Sequence, residues 1–242
     1  MSSVSSAKSA RQLNTLSGAV VVDRAAPERG RFITFEGGEG AGKSTQIRIL
    51  AAALEKAGQT VCLTREPGGS AGAEQIRELL VTGDPQRWDA MTELLLLYAA
   101  RRDHVRRLIE PALEKGTWVL CDRFSDSTMA YQGYGHGLDR GKIADLHKIV
   151  LGALSPDLTI ILDLDPKVGL ARTRITDEAQ RRGAEDRFER MEIAFHQRMR
   201  DGFRDIAAAE PERVALVDAD AEADHVSETI VRLVRERLGA TL

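Results

Sequence analysis

Eight consecutive residues, Gly37-Gly38-Glu39-Gly40-Ala41-Gly42-Lys43-Ser44, fill the pattern G-x-x-x-x-G-K-[ST] and restrict the fold of this 242-residue chain more than any other stretch. An alternating apolar run, Arg31 to Glu36, precedes them, and helical spacing at Ile47, Leu50, Ala51 and Leu54 follows. Strand, glycine loop and helix is the order the pattern needs before it reads as a phosphate-binding loop. Glycines let the backbone curl until several N–H groups face one anion, and the helix N-terminus adds partial positive charge. In that setting Lys43 reaches the β- and γ-phosphates and the Ser44 hydroxyl ligates Mg²⁺. Glycine-rich strand-to-helix turns also occur without ligands; the Lys-Ser pair between these flanks sets this one apart. A nucleoside triphosphate is the expected ligand.

Downstream, strands and helices alternate. Gly58 ends the first helix and Thr60–Thr64 reads as a second strand, followed by the turn Arg65–Ser70 and a helical run over Ala71–Val81. The apolar pattern from Trp88 to Leu113 is helical, with Pro111 expected to bend or divide it. Thr117–Cys121 is a third strand ending at Asp122-Arg123, and helical spacing returns over Gly141–Leu154. A fourth strand, Leu158–Leu164, leads into an Arg-rich helical stretch, Val168–Ala209, interrupted near Gly183. A fifth strand, Arg213–Val217, precedes an amphipathic helix, Glu222–Leu238. This predicts an α/β fold of three layers, a five-stranded parallel sheet flanked by helices. Ligands of such sheets bind beyond the carboxyl ends of the strands. That rule gathers Glu36 to Lys43, Arg65-Glu66, Asp122-Arg123 and Asp163-Asp165 on one rim.

The remaining properties mostly exclude. A formal charge of −3 gives no basic field for nucleic acid, and no apolar stretch is long enough to span a bilayer. Cys62 and Cys121 sit in short apolar runs and read as buried core thiols of a reducing compartment, which points to the cytoplasm. Residues 1–29, Ser/Ala-rich with scattered charges, read as a mobile extension with no catalytic role, leaving 30–242 as a single domain. His104, His136 and His147 lack metal-ligand spacing and read as ordinary histidines.

Nucleotide-binding classes can be separated by what they require. A guanine reader of the Asn-Lys-x-Asp type is absent, since the only asparagine, Asn14, precedes the glycine loop. The Leu-Ser-Gly-Gly-Gln signature of transporter ATPases is absent after it. A kinase for a small phosphorylated acceptor needs a second anion site and cations that close over both phosphates. Arg65, Arg77, Arg101 and Arg123 lie around the rim, and Arg172, Arg174, Arg181, Arg182 and Arg187 cluster in the fourth strand's trailing helix, about 172–190. Interspersed Glu185, Asp186 and Glu189 would suit a solvated, salt-bridged face equally well for any single arginine. The break at Gly183 favours a lid for the cluster.

Three segments carry a resemblance. Phe35-Glu36-Gly37 through Thr45, Thr64-Arg65-Glu66-Pro67-Gly68-Gly69, and Asp122-Arg123-Phe124-Ser125-Asp126-Ser127-Thr128-Met129-Ala130-Tyr131-Gln132-Gly133 together resemble bacterial thymidylate kinase. The likeness runs from about Arg31 to Leu238, through Leu162-Asp163-Leu164-Asp165-Pro166 to the arginine lid. It implies transfer of the γ-phosphoryl group of ATP to dTMP with Mg²⁺, on a nucleoside-monophosphate-kinase fold that assembles as a homodimer. The Leu94–Leu97 helix fits a dimer face or a buried core helix equally well.

Carried over by position, Gly37, Gly38, Glu39, Gly40, Ala41, Gly42, Lys43, Ser44 and Thr45 would hold the ATP phosphates. Glu39 would lie near the acceptor's sugar and phosphate, Arg77 and Arg123 would grip that phosphate, and Asp122 with Ser44 would place Mg²⁺. Arg101 would bond a thymine carbonyl, Thr128 and Gln132 would sit at the base edge, and Tyr131 would pack on the deoxyribose. Arg65 and Ser127 complete the expected substrate set. Relatives of the eukaryotic type carry a catalytic arginine in the loop where this chain has Gly40, so the lid must supply it, with Arg182 the first choice and Arg181 the second. The family's thymine-stacking phenylalanine, four residues before Arg101, is Leu97 here, with Tyr98 next to it. Either Tyr98 takes over the stacking through a small helix rotation, or the base meets an aliphatic side chain.

Overall fold

The computed structural model describes residues 28–82, 84, 87–180 and 191–242, without the side chains of 174–180. Chain order is β1 (Phe32–Gly37), α1 (Lys43–Lys56), β2 (Val61–Arg65), α2 (Ala71–Val81) and α3 (Ala90–His104), then α4 (Glu110–Glu114), β3 (Trp118–Asp122), α5 (Ser125–Thr128) and α6 (Arg140–Leu151). It continues with β4 (Leu158–Asp163), α7 (Pro166–Gln180), α8 (Ile193–Ala209), β5 (Val214–Asp218) and α9 (Ala223–Leu238). Five parallel strands lie in the order β2-β3-β1-β4-β5. The central strand, Phe-Ile-Thr-Phe-Glu-Gly, is buried at every position, as expected of a strand covered on both faces.

Strand alternation divides β1 between two layers. Ile33 and Phe35 join Leu50, Leu54, Ile160, Leu162, Ile230 and Val234 in a core under α1 and α9. Phe32 lies on the other face with Val105, Ile109, Val119 and Phe124. Thr34 and Glu36 share that second face. There the Thr34 hydroxyl meets that of Thr159 at 2.8 Å, and Thr159 Oγ1 donates to Asp126 at 3.1 Å. Polar side chains thus enter the sheet's interior on the side where α5 lies. Arg213 closes the group over Asp126, at 2.7 and 2.9 Å.

Several boundaries differ from expectation for identifiable reasons. The long helix before β3 begins at Ala90, where Asp89 caps the Met91 and Thr92 amides. Pro111 does not break it. A π-helical turn, Val105–Ile109, widens the helix ahead of the proline, which then sits in the first turn of α4, where a missing N–H is tolerated. The segment Ser125–Gly135, left without an element by its sequence pattern, is helical: α5 runs into a second π turn, Met129–Gly135. The two glycines and short polar residues conceal any apolar period there. The helix after it is Arg140–Leu151, capped by Asp139, shorter than the expected run to Leu154. The expected break near Gly183 and residues 1–27 of the extension lie outside the described residues. At the end of the expected extension, Arg29 Nη1 lies 3.0 Å from Asp157 Oδ2.

Candidate active site

The glycine loop joins β1 to α1 under unusual backbone demands. Gly42, the N-cap of α1, has φ 90°, and no side chain caps the helix there, so its first amides remain available to an anion. Gly40 has φ 66°, and a Cβ on it would lie 2.1 Å from the carbonyl oxygen of Gly169 in α7. A Cβ on Gly169 would lie 2.2 Å from the Glu39 oxygen. Loop and helix therefore touch backbone to backbone, which leaves no room at position 40 for an arginine or any other side chain. Lys43 Nζ is folded onto the loop carbonyls of Gly38, 2.9 Å, and Gly37, 3.2 Å. Burial, then the nearby Arg123, lower its pKa.

Ser44 Oγ donates to Asp122 Oδ2 at 3.2 Å, joining the start of α1 to the end of β3. A hydroxyl and a carboxylate facing each other are hard oxygen donors of the kind Mg²⁺ takes, with water and phosphate completing the set. Among the described residues no group of three or more His, Cys, Asp or Glu could hold a metal ion alone. That is compatible with an ion brought in by the nucleotide.

Beside the loop lies a cavity of about 140 Å³ lined by Glu39, Glu66, Pro67, Arg77, Val81, Leu97, Arg101, Arg123, Phe124, Ser127, Thr128, Tyr131 and Gln132. Arg123 forms its wall toward the loop. The residue has φ 70°, a conformation costly for a residue with a Cβ and found disproportionately at functional sites. Its amide donates to Phe35 O at 2.9 Å. Nη1 donates to Gly37 O at 2.9 Å and Ser127 Oγ at 3.3 Å, and Nη2 to Glu39 Oε1 at 3.0 Å. The guanidinium lies 5.0 Å from the Tyr131 ring centre, and the Tyr131 hydroxyl donates to the same Glu39 oxygen at 2.6 Å. Burial alone would raise the Glu39 pKa; Arg123 and Lys43 overcome it and hold the carboxyl at about 2. Arg77 Nη1 donates to Pro67 O at 2.8 Å across the cavity wall.

At the far end Arg101 is almost fully enclosed. Nε donates to Glu66 at 2.6 Å, and Nη2 to Phe124 O at 3.1 Å and Thr128 Oγ1 at 2.8 Å. Glu66 is shared with His104 Nδ1 at 3.0 Å, whose Nε2 meets Thr64 Oγ1 at 2.7 Å. His104 is thus a core histidine that braces the turn after β2. Leu97 lines the cavity. Tyr98 does not: its hydroxyl donates to Ile143 O at 3.3 Å, and its ring lies 4.9 Å from the Arg101 guanidinium, behind the cavity lining. The expected alternative of tyrosine stacking is corrected accordingly, because one helical step turns the ring about 100° from Leu97. Arg65 is corrected as well. It ends β2 at the sheet edge, pairs with Glu74 at 3.0 Å, and is exposed away from the cavity lining.

Three acids in this region have supporting roles that the sequence did not assign, although it placed Glu36 and Glu66 on the rim. Glu36 is fully buried and accepts from Phe124 N at 2.8 Å and Ser127 Oγ at 2.5 Å. Burial first, then the Asp126 charge, raise its pKa to about 8. Glu66 holds Arg101, and Glu93 accepts from Gln132 Nε2 at 2.7 Å. A carboxylate inside an apolar run, as in Phe35-Glu36, is the cue that would have found the first. The rim carboxylate Asp163 is engaged by Arg200, 2.8 Å, and Arg204, 2.7 Å, of α8. Arg172 contacts Asp220 at 3.4 Å beyond β5. Arg181, Arg182 and Arg187 lie outside the described residues, as does the side chain of Arg174.

Comparison with known proteins joins these features to one family. The thymidylate kinase family model matches residues 35–230. The chain belongs to the thymidylate kinase family. It is 56% identical over 211 residues to thymidylate kinase of Caulobacter vibrioides, covering 87% of this chain and 99% of that one. It is 54% identical over 217 residues to the Bradyrhizobium enzyme of the same name, covering 88% and 92%. A crystal structure of thymidylate kinase from Ehrlichia chaffeensis superposes with a TM-score of 0.67 at 36% identity, covering 85% of this chain and 99% of that one. The five-stranded parallel sheet and its helical layers are those of this family of P-loop nucleoside-monophosphate kinases.

Proposed function

We infer that the chain transfers the γ-phosphoryl group of ATP to dTMP, giving ADP and dTDP on the route to dTTP. The observation that carries this reading is Arg123, which touches the phosphate loop at Gly37 O and lines the neighbouring cavity with the same guanidinium. Donor and acceptor sites that share one cationic wall suit in-line transfer between two phosphates. A dTMP phosphate oxygen attacks the γ-phosphorus, a new P–O bond forms, and the bond to the bridging oxygen breaks to release ADP. No general base is needed, because the attacking oxygen is already anionic near neutral pH.

Bringing two polyanions together is the main obstacle. Arg77 and Arg123 offset the acceptor's charge, and Lys43 with the loop amides offsets the donor's; arginine suits the former through its planar fork. Glu39, held ionised by Arg123, keeps that guanidinium in place and lies where a sugar hydroxyl could meet it. Leu97 gives the base an aliphatic face. Ser44 and Asp122 would hold Mg²⁺, which when bound neutralises phosphate charge. The remaining cation is assigned to the lid, with Arg182 before Arg181.

Among the described residues no helix is long and apolar enough to cross a membrane, and we assign the enzyme to the cytoplasm. A homodimer through α3 is favoured by its outward residues: of the Leu94–Leu97 run, Leu94 is buried and Leu97 faces the cavity, but Leu95 is 53% exposed. The deciding test measures ATP consumption with dTMP, dUMP, CMP and AMP as acceptors. The reading requires dTMP to be preferred, and equal or better turnover of AMP or CMP would refute it.

A further inference from the structure

Two polar atoms at the base end of the cavity have no partner in the protein: Arg101 Nη1 and Gln132 Oε1. Their side chains are 2% and 1% exposed, and both residues line the cavity. Leaving buried polar groups unpaired is costly, so two in one cavity point to a ligand whose edge satisfies both. The polarity of that edge can be read from the protein.

Arg101 can only donate. Its Nε is committed to Glu66, and Nη2 to Phe124 O and Thr128 Oγ1, so Nη1 is the end left to a ligand. Gln132 is ambiguous in itself, because a primary amide can turn either its oxygen or its NH₂ toward the cavity. Glu93 resolves it. The carboxylate accepts the Gln132 Nε2 proton at 2.7 Å, and an acceptor-only group forces the NH₂ toward itself and the amide oxygen the other way. Glu93 does not line the cavity. It sits one helical turn before Leu97 and two before Arg101, on the face of α3 that borders the site.

The protein therefore offers one donor and one acceptor, and the matching base edge carries a carbonyl beside a ring N–H. A 4-oxo pyrimidine has that edge. A 4-amino pyrimidine has the reverse, an NH₂ facing Arg101 and a ring lone pair facing Gln132 Oε1, and is repelled at both points. We propose that Glu93 is a specificity-determining positioning residue: by fixing the Gln132 amide it makes the cavity accept thymine or uracil and reject cytosine. The inference rests on the acceptor being a pyrimidine monophosphate bound in this cavity.

The test compares kcat/KM for dTMP and dCMP in wild type and Glu93→Gln, with thermal melting as a check on folding. A site that hydrogen-bonds its substrate discriminates by roughly 10⁴-fold, so wild type should favour dTMP by about that factor. A neutral amide at position 93 can donate as well as accept and frees Gln132 to turn, so the dTMP-to-dCMP ratio should fall by roughly 10²-fold. A Glu93 that merely ties two helices together would lower both substrates alike, and an unchanged ratio overturns the proposal. Should Glu93→Gln fail to fold, the wild type still decides: a dTMP preference under about tenfold, or undiminished turnover of N3-methyl-dTMP, overturns it. Absence of any dTMP-dependent turnover by wild type would remove the kinase reading and this inference with it. An unchanged ratio in an active variant removes the inference alone.

Discussion

Arg123 donates to Glu39 across 3.0 Å, and through this one ion pair the turn after β3 is fastened to the phosphate loop after β1. Its other nitrogen reaches Gly37 O at 2.9 Å, so a residue lining the neighbouring cavity is positioned by the glycine loop. Both halves of the site are set by neighbouring strands of one sheet, β1 and β3, in register at Phe35 and Asp122.

Removing the guanidinium should therefore fall mainly on the acceptor. Arg123→Ala is expected to raise the KM for dTMP by roughly 10- to 100-fold, the loss of a charge-assisted bond or two, with a smaller change in ATP binding. Arg123→Lys should recover only part, since an ammonium cannot reproduce the fork. Steady-state kinetics with each nucleotide varied in turn checks this.

Glu36 and Glu39, two buried or part-buried acids three residues apart, should shape stability in opposite senses. Glu39 titrates at about 2 instead of the ordinary 4.5, so its contribution is complete above pH 4.5 and is lost as pH falls toward 2. Glu36 titrates at about 8. The folded state then holds an extra proton between pH 4.5 and 8, and stability declines as pH rises through that window. Thermal melting across pH should show Glu39→Gln with a shallower acid loss than wild type. Glu36→Gln should gain on wild type between pH 5 and 9, by on the order of 1–3 kcal/mol.

Gly169→Ala places a methyl 2.2 Å from the Glu39 carbonyl. Neither backbone can yield without moving the phosphate loop. The expected result is a loss of about 1–3 kcal/mol in stability together with weaker ATP binding, measured by melting with and without ATP. Gly152→Ala, at the open end of α6 where a Cβ meets nothing within 4 Å, should leave ATP binding unchanged.

The lid assignment predicts that Arg182→Ala lowers kcat by roughly 10³-fold, the scale of a cation acting on the transferring phosphoryl group, with dTMP binding nearly intact. Single-turnover rates and equilibrium dTMP titration separate the two effects. Near-normal kcat would move the role to Arg181 or elsewhere.

The glycine loop, the strand ends and the five-stranded parallel sheet were legible because local chemistry dictates them: Gly37 to Ser44 admits few other structures, and strand-end polar residues have one rim to occupy. The stretch Ser125–Gly135 was not, since its helix is maintained by contacts from other elements, among them Glu36 to Phe124 N and Ser127. The partners of the supporting acids Glu36, Glu66 and Glu93 were illegible for a related reason. Each acid acts on a residue more than thirty positions away, at Ser127, Arg101 and Gln132 respectively, and no local spacing encodes such pairings. Tyr98 shows the reverse error, in which an aromatic side chain adjacent in sequence to the right position packs behind Arg101 and stays out of the cavity lining.

Lys43 and Arg123 are expected to hold two polyanions end to end in one continuous cleft. A bisubstrate compound joining thymidine and adenosine through a chain of five phosphates tests this, by titration calorimetry on wild type, Lys43→Ala and Arg123→Ala. One compound should bind per chain, at least about 10²-fold more tightly than dTMP or ATP alone, because linking the two makes the second contact intramolecular, and both variants should weaken it. Affinity no better than that of the single nucleotides, or insensitivity to Arg123→Ala, would rule out the shared cleft.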